Sequence, residues 1–149
     1  MKITSGELAE IKDSLKRLRE LAPTLPLDQR IFGDGTTIGQ IAFHSGESAD
    51  FWLRAFVLKE KRIRVRDDEF RGAHDTAQID ASLAAAMDAC DVVAADAPEG
   101  DAVISVPTRT HNGGSDWTVA LALLHIATHT AEHLGQLSVA AEIYSAPEA

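Results

Sequence analysis

Four segments of the chain repeat apolar residues at intervals of three and four, the spacing that places side chains on one face of an α-helix. The first follows a capping box formed by Thr4 and Glu7 and ends at Pro23. The second follows a capping box formed by Thr37 and Gln40 and continues to about residue 60. Capping boxes and prolines therefore predict the boundaries of the first two helices.

The third helix is predicted to begin near Thr76 and to end before Pro98. The fourth is predicted to have Ser115 or Asp116 as its N-cap and to continue to about Tyr144. Four amphipathic helices without an internal repeat predict an all-α protein, specifically a four-helix bundle.

Strand signals are confined to two short stretches, 62–66 and 102–106, which lie between predicted helices. Each is expected to form either part of a short ribbon or an extended loop. The connections between helices 2 and 3 and between helices 3 and 4 span ~15–20 residues, longer than in a simple up-down bundle. One of them is therefore expected to cross over or cap an open end of the bundle.

Composition narrows the class of protein. The 149 residues include 14 Lys and Arg against 23 Asp and Glu, a net charge of −9, and 45% are apolar. These values predict one globular domain over residues 1–149 and disfavour nucleic acid as a partner, because nucleic-acid binding requires a basic surface. No apolar run approaches the ~20 residues of a membrane span. The lone cysteine, Cys90, and the absence of a secretory pattern at the start predict a cytoplasmic protein.

The histidines carry the candidate chemistry. His125, His129 and His133 lie at successive four-residue steps on helix 4, and a helical projection places His129 and His133 within its apolar stripe. On helix 2, His44 falls on the buried flank. Two buried histidines one turn apart can bind one ion, and a third from a neighbouring helix leaves coordination positions open, as in catalytic sites. One ion cannot contact all three helix-4 histidines; the pair is 129/133 or 125/129, and the stripe favours 129/133.

Three further histidines, one glutamate and the lone cysteine each have both a functional and a structural interpretation. Glu47 and His125 are candidate pocket residues. The simpler interpretations are a solvated carboxylate for Glu47 and, for His125, a position beside the metal ligands or at the surface. His74 and His111 lie in predicted loops and are expected to be solvated. Cys90 lies on the apolar stripe of helix 3 and is expected to be a core residue.

Basic residues are concentrated between positions 59 and 71, where acidic residues are interleaved with them. This segment could receive a substrate carboxylate or phosphate, but a self-neutralising surface loop is the favoured interpretation. Phe43, Leu53 and Val57 form a second apolar strip on helix 2, which indicates either burial on two sides within the bundle or a dimer contact. The basic residues are Lys59, Lys61, Arg62, Arg64, Arg66 and Arg71.

Two other classes of metal site can be compared with the histidine pattern. Residues 129–133 also spell the inverted zinc-peptidase signature, but Glu132 projects away from the buried stripe, and too few residues follow to supply the distant third ligand. The Glu-x-x-His pairs that di-iron carboxylate bundles need are absent from the sequence. Neither class is therefore expected.

The sequence resembles the DinB-like family of small four-helix-bundle metalloproteins. The resemblance rests on residues 37–44, TIGQIAFH, on Trp117-Thr118-Val119 at the start of helix 4, and on residues 129–136, HTAEHLGQ. It extends over essentially the whole chain. It implies an up-down-down-up bundle in which the long loop between helices 2 and 3 is the crossover. It also implies that His44, His129 and His133 are the metal ligands.

Related members include S-transferases and an isomerase that use mycothiol or bacillithiol. The resemblance implies a divalent metal, zinc first and nickel or iron as alternatives, with a low-molecular-weight thiol as cosubstrate. The expected function is therefore metal activation of a thiol for S-transfer to a small-molecule electrophile, in a homodimer. Two alternatives stay open: hydrolysis by a metal-bound hydroxide, and a non-catalytic metal- or ligand-binding dimer of the stress response.

Overall fold

The computed structural model describes residues 5–33, 35–107 and 116–145, and this part of the chain contains four α-helices packed against one another. The predicted four-helix bundle is therefore confirmed. The helices are α1 (Ser5–Leu21), α2 (Ile38–Phe51), α3 (Thr76–Asp96) and α4 (Val119–Ser145).

The ion pairs between α1 and α3 set the relative direction of these two helices. Lys12, in the middle of α1, pairs with Asp91 near the end of α3, and Arg19 near the end of α1 pairs with Asp80 near the start of α3. The two helices are therefore antiparallel.

Contacts of α2 complete the topology. A Cβ atom on Gly39, at the start of α2, would lie 3.4 Å from the carbonyl oxygen of His74, just before α3. Gly46, farther along α2, faces Ser82 and Leu83 of α3, so α2 and α3 run in parallel. Near the end of α2, Trp52 contacts His125 from the start of α4, which makes α2 and α4 antiparallel. The order is up-down-down-up, and the connection 58–75 is the crossover. In the bundle α1 and α2 are diagonal, and each packs against α3 and α4.

Gly46 allows α2 and α3 to approach closely. A Cβ atom at this position would lie 2.7 Å from the backbone carbon of Ser82 and 2.8 Å from the backbone nitrogen of Leu83. Neither backbone atom can move without shifting α3, so the contact requires glycine. This contact fixes the depth of α2 in the bundle and with it the position of His44, half a turn away.

The C-terminal part of α2 differs from the prediction. The capping box of Thr37 and Gln40 is present, but the α-helix ends at Phe51 and continues as a π-helical turn over Trp52–Val57. The wider turn changes the direction in which side chains point. Leu53 and Val57 are consequently buried within the same chain. Burial on two sides of the bundle, rather than a dimer contact, accounts for these two residues of the second apolar strip.

The start of α4 also differs from the prediction. The Thr118 hydroxyl accepts a hydrogen bond from the backbone N–H of Leu121, so Thr118 caps the helix in place of Asp116. Ser115, the other predicted cap, and Thr4, at the start of the first helix, lie outside the described residues. At α3, Asp75 and Gln78 form a capping box next to the predicted start.

The first strand-like stretch is an extended loop that enters a short 3₁₀-helix, Arg66–Phe70. The second pairs over 102–104 with residues 117–119 through two backbone hydrogen bonds. In the described part of the chain the only β-bridges are isolated, between Arg30 and Thr37 and between Val103 and Thr118. None of the helices described is long and apolar enough to span a membrane. Cys90 is buried in the core as predicted, and burial raises the pKa of its thiol to about 12. It is therefore protonated at neutral pH.

Candidate metal centre

The structure brings together the three histidines that the sequence predicts as a set. His44 comes from α2, and His129 and His133 come from successive turns of α4. The Nε2 atom of His129 lies 3.1 Å from that of His44 and 3.0 Å from that of His133. One nitrogen from each ring lies within 4.8 Å of the other two. Three imidazole nitrogens thus converge on one point where two helices cross.

A buried carboxylate orients the ring of His44. The Nδ1–H of His44 donates to Oε1 of Glu69 over 2.7 Å, and the guanidinium of Arg64 donates to both oxygens of the same carboxylate. Glu69 is only 3% exposed. Burial alone would raise its pKa, but the hydrogen bonds from Arg64 and His44 together lower the pKa below its usual range. The carboxylate is therefore charged, and it keeps the proton of His44 on Nδ1 and the lone pair on Nε2.

A neutral amide orients the ring of His133. Its Nδ1–H donates to Oε1 of Gln136 over 2.7 Å, within the same helix. This bond also leaves Nε2 unprotonated and directed toward the cluster.

His129 and His133 are held in their neutral form. Burial, together with the neighbouring imidazoles of His133 and His44, lowers the pKa of His129 to about 3. Burial also lowers the pKa of His133. Neutral imidazole is the form that binds metal, so protons compete weakly with a cation at these two rings.

The crossover is fixed to α2 around Glu69. The side-chain amide of Gln40 donates to the carbonyl oxygens of Phe70 and Gly72, on the far side of Glu69. The His74 ring stacks on Phe43 at 3.9 Å between centroids and donates from Nε2 to the carbonyl oxygen of Glu69. The prediction that His74 is solvated is therefore wrong, because the crossover folds back on α2. His111 lies outside the described residues.

A pocket of about 450 Å³ opens beside the histidines. The ring of His125 lies at its wall, 4.2 Å from the ring of Trp52. Glu47, the other candidate, lines a neighbouring depression with Arg62 and Asp50 instead. Residues lining the pocket are His44, Ser48, Phe51, Trp52, Arg64, Arg66, His125 and His129.

Three of the six basic residues of the segment form ion pairs within the described part of the chain, so the self-neutralising interpretation holds for half of them. Arg62 pairs with Asp50, and Arg71 pairs with Asp68. Glu69, in contrast, is not a surface residue of this segment but the buried partner of Arg64. Lys59, Lys61 and Arg66 make no ion pair within the described part of the chain. Of these, Arg66 lines the pocket, and its guanidinium lies over the ring of Phe70 at 5.0 Å.

Sequence reasoning missed Glu69 and the role of Gln136. Glu69 lies 25 positions from His44, in a 3₁₀-helix of five residues (Arg66–Phe70) that is too short for hydrophobic periodicity to indicate which side chain is buried. Gln136 lies three positions after His133, a spacing that places both on one helix face. That spacing was the signal that could have identified Gln136.

One family of known proteins matches most of the chain. The sequence profile of the DinB superfamily matches residues 8–137, a range that includes α2, α3, the crossover and all three clustered histidines. No curated protein matches the chain.

Proposed function

Because the chain belongs to the DinB superfamily, we propose that it is a metal-dependent enzyme whose metal is held by His44, His129 and His133. We further propose that it activates a low-molecular-weight thiol for S-transfer to an electrophilic carbon. The observation that carries the proposal is the convergence of three Nε2 atoms beside a pocket of substrate size.

The donor set suits a divalent transition metal. Imidazole nitrogen is a preferred ligand of zinc, nickel, iron and copper, and zinc is the first candidate. Two of the three rings have their Nδ1 protons engaged by Glu69 and Gln136, which leaves the Nε2 lone pairs for the cation. Three protein ligands are typical of catalytic zinc sites, since structural sites usually have four.

The metal, when bound, would lower the pKa of a thiol so that its thiolate is available at neutral pH. In the overall reaction the sulfur gives up its proton and forms a bond to carbon, and the leaving group departs with the electron pair of the broken bond. His125, in the pocket wall, is our candidate for accepting the thiol proton or donating a proton to the leaving group. Phe51 and Trp52 provide apolar walls that exclude water from the sulfur.

Steady-state turnover tests the proposal. Zinc-loaded protein is incubated with a chlorinated arene or an epoxide and with each of several thiols, and the wild type is compared with His129→Ala. We expect thioether formation at a rate that exceeds the uncatalysed reaction and that His129→Ala abolishes. Stoichiometric metal without turnover for any thiol and acceptor would overturn the proposed S-transfer and leave the two alternatives, hydrolysis by a metal-bound hydroxide and a non-catalytic metal- or ligand-binding protein.

A further inference from the structure

We propose that the thiol substrate carries a permanent anionic group, such as a carboxylate, phosphate or sulfonate, and that Arg66 binds this group. The inference rests on the proposed function, since it specifies the class of thiol that the same pocket accepts.

The first argument is the charge of the pocket wall. The protein as a whole carries a net charge of −9, yet the described residues that line this pocket include two arginines and no carboxylate. Arg64 is neutralised by Glu69 behind the wall. The charge of Arg66 is not neutralised in this way and is the one that a ligand in the pocket would meet.

The second argument is how Arg66 is held. Its guanidinium lies over the ring of Phe70, a contact that restrains the side chain without using its N–H donors. Phe70 in turn packs against the ring of His44, at 4.7 Å between centroids. Contacts of Arg66 with Phe70 and of Phe70 with His44 therefore connect this cation to the histidine cluster. Arg66, His44 and His129 line the same pocket, so one molecule in it could place an anion on Arg66 and a sulfur at the cluster.

The third argument is a second donor in the same pocket. Ser48 is 5% exposed and lines the pocket. Within the part of the chain that the structure describes, its hydroxyl has no hydrogen-bond partner. The Ser48 oxygen is not one of the buried polar atoms that lack a partner, so it is accessible from the pocket, where it can form a hydrogen bond with a polar group of the substrate.

The experiment uses cobalt-substituted protein, in which thiolate coordination produces a charge-transfer absorption band that reports binding without turnover. Sulfonate thiols (2-mercaptoethanesulfonate and 3-mercaptopropanesulfonate) are titrated alongside the neutral 2-mercaptoethanol and 3-mercaptopropanol. Each thiol is measured with the wild type, Arg66→Gln, Arg66→Lys and Arg71→Gln. Arg71 is the matched control, because it is an exposed arginine of the same crossover that lies outside the pocket.

We expect the wild type to bind the sulfonate thiols about tenfold more tightly than the neutral ones, the effect of one charge-assisted contact. Arg66→Gln should remove this preference, Arg66→Lys should retain most of it, and Arg71→Gln should leave it unchanged. Equal affinity for charged and neutral thiols in the wild type, or a preference that survives Arg66→Gln, would overturn the inference and leave thiol binding intact. Absence of the band with every thiol would instead overturn the proposed function.

Discussion

The two helices that meet at the histidine cluster hold their rings by different means. On α2, His44 depends on a charged and buried partner supplied by the crossover, Glu69, which is itself held by Arg64. On α4, His133 depends on a neutral partner from its own helix, Gln136. One half of the site is built by tertiary contacts, and the other half by helical spacing alone.

This difference matters for how firmly each ring is held. A carboxylate paired with arginine accepts the Nδ1 proton more strongly than an amide does and makes the imidazole a better electron donor. Glu69 is also fixed from behind by Gln40 and His74, through the backbone around it. We therefore expect His44 to be the more rigidly positioned ligand and the α4 pair to be the more adjustable one.

Removal of a ligand should have the largest effect on the site. His44→Ala, His129→Ala and His133→Ala are each expected to abolish stoichiometric metal, because two imidazoles do not retain a cation that three hold. His111→Ala serves as the control and should retain it. Elemental analysis of the purified variants measures the metal content. Equal retention across all four variants would contradict the assignment of the ligands.

Acidification should have the second-largest effect, because protonation of the imidazoles releases the metal. The pKa of His129 is lowered to about 3 and that of His133 is also lowered, so both rings stay neutral below the ordinary histidine pKa of about 6.5. Protons therefore compete with the cation only at lower pH than for exposed histidines, and we expect half-release below about pH 5. Metal content after equilibration and dialysis across pH 7.5 to 4 measures it. Half-release above pH 6.5 would show that the α4 rings are not held neutral.

Glu69→Gln should weaken metal binding by about 10–100-fold, the usual effect of removing a carboxylate partner of a ligand histidine. The substitution keeps the shape of the side chain but removes the charge that holds the proton of His44 on Nδ1. Competition with a chromophoric chelator measures the affinity. Asp68→Asn is the matched control, since it neutralises the preceding acidic residue, which is exposed and pairs with Arg71. Equal affinities for the two variants would refute the role of Glu69.

Gln136→Ala should have a smaller effect, below about tenfold in affinity, because it removes a neutral and partly exposed acceptor. Gln136→Glu would give His133 the kind of partner that His44 has, and we expect it to increase the affinity. The same chelator competition measures both variants. If Gln136→Ala weakens metal binding more than Glu69→Gln does, His44 is not held more firmly by its partner than His133 is.

The α4 half of the site could be predicted from the sequence, and most of the α2 half could not. A four-residue interval on an apolar stripe fixes the relation of His129 to His133, and a helical projection also places His44 on a buried flank. The partner of His44 depends on how the crossover folds over α2, and hydrophobic periodicity carries no information about an irregular segment. For the same reason the sequence predicts neither the burial of Glu69 nor the packing of His74 on α2.

Helix boundaries, too, could be predicted only where local sequence signals determine them. Capping boxes and prolines identify where α1, α2 and α3 begin or end, because those signals are local. The π-helical turn at Trp52–Val57 was not predicted, since tertiary packing of Leu53 and Val57 rather than local propensity determines it. That turn also positions Trp52 against His125, and so one wall of the pocket arises from a departure from regular helix.

The separation of the clustered histidines along the chain has a consequence for biosynthesis. His44 and His129 are 85 positions apart, and the second of them is in the last helix described. A ribosome that has completed α2, the crossover and α3 has produced only one of the three rings. Loading of the proposed site must therefore wait until α4 has been translated and has docked, and the identity of the ion will depend on which metals are accessible to the folded protein.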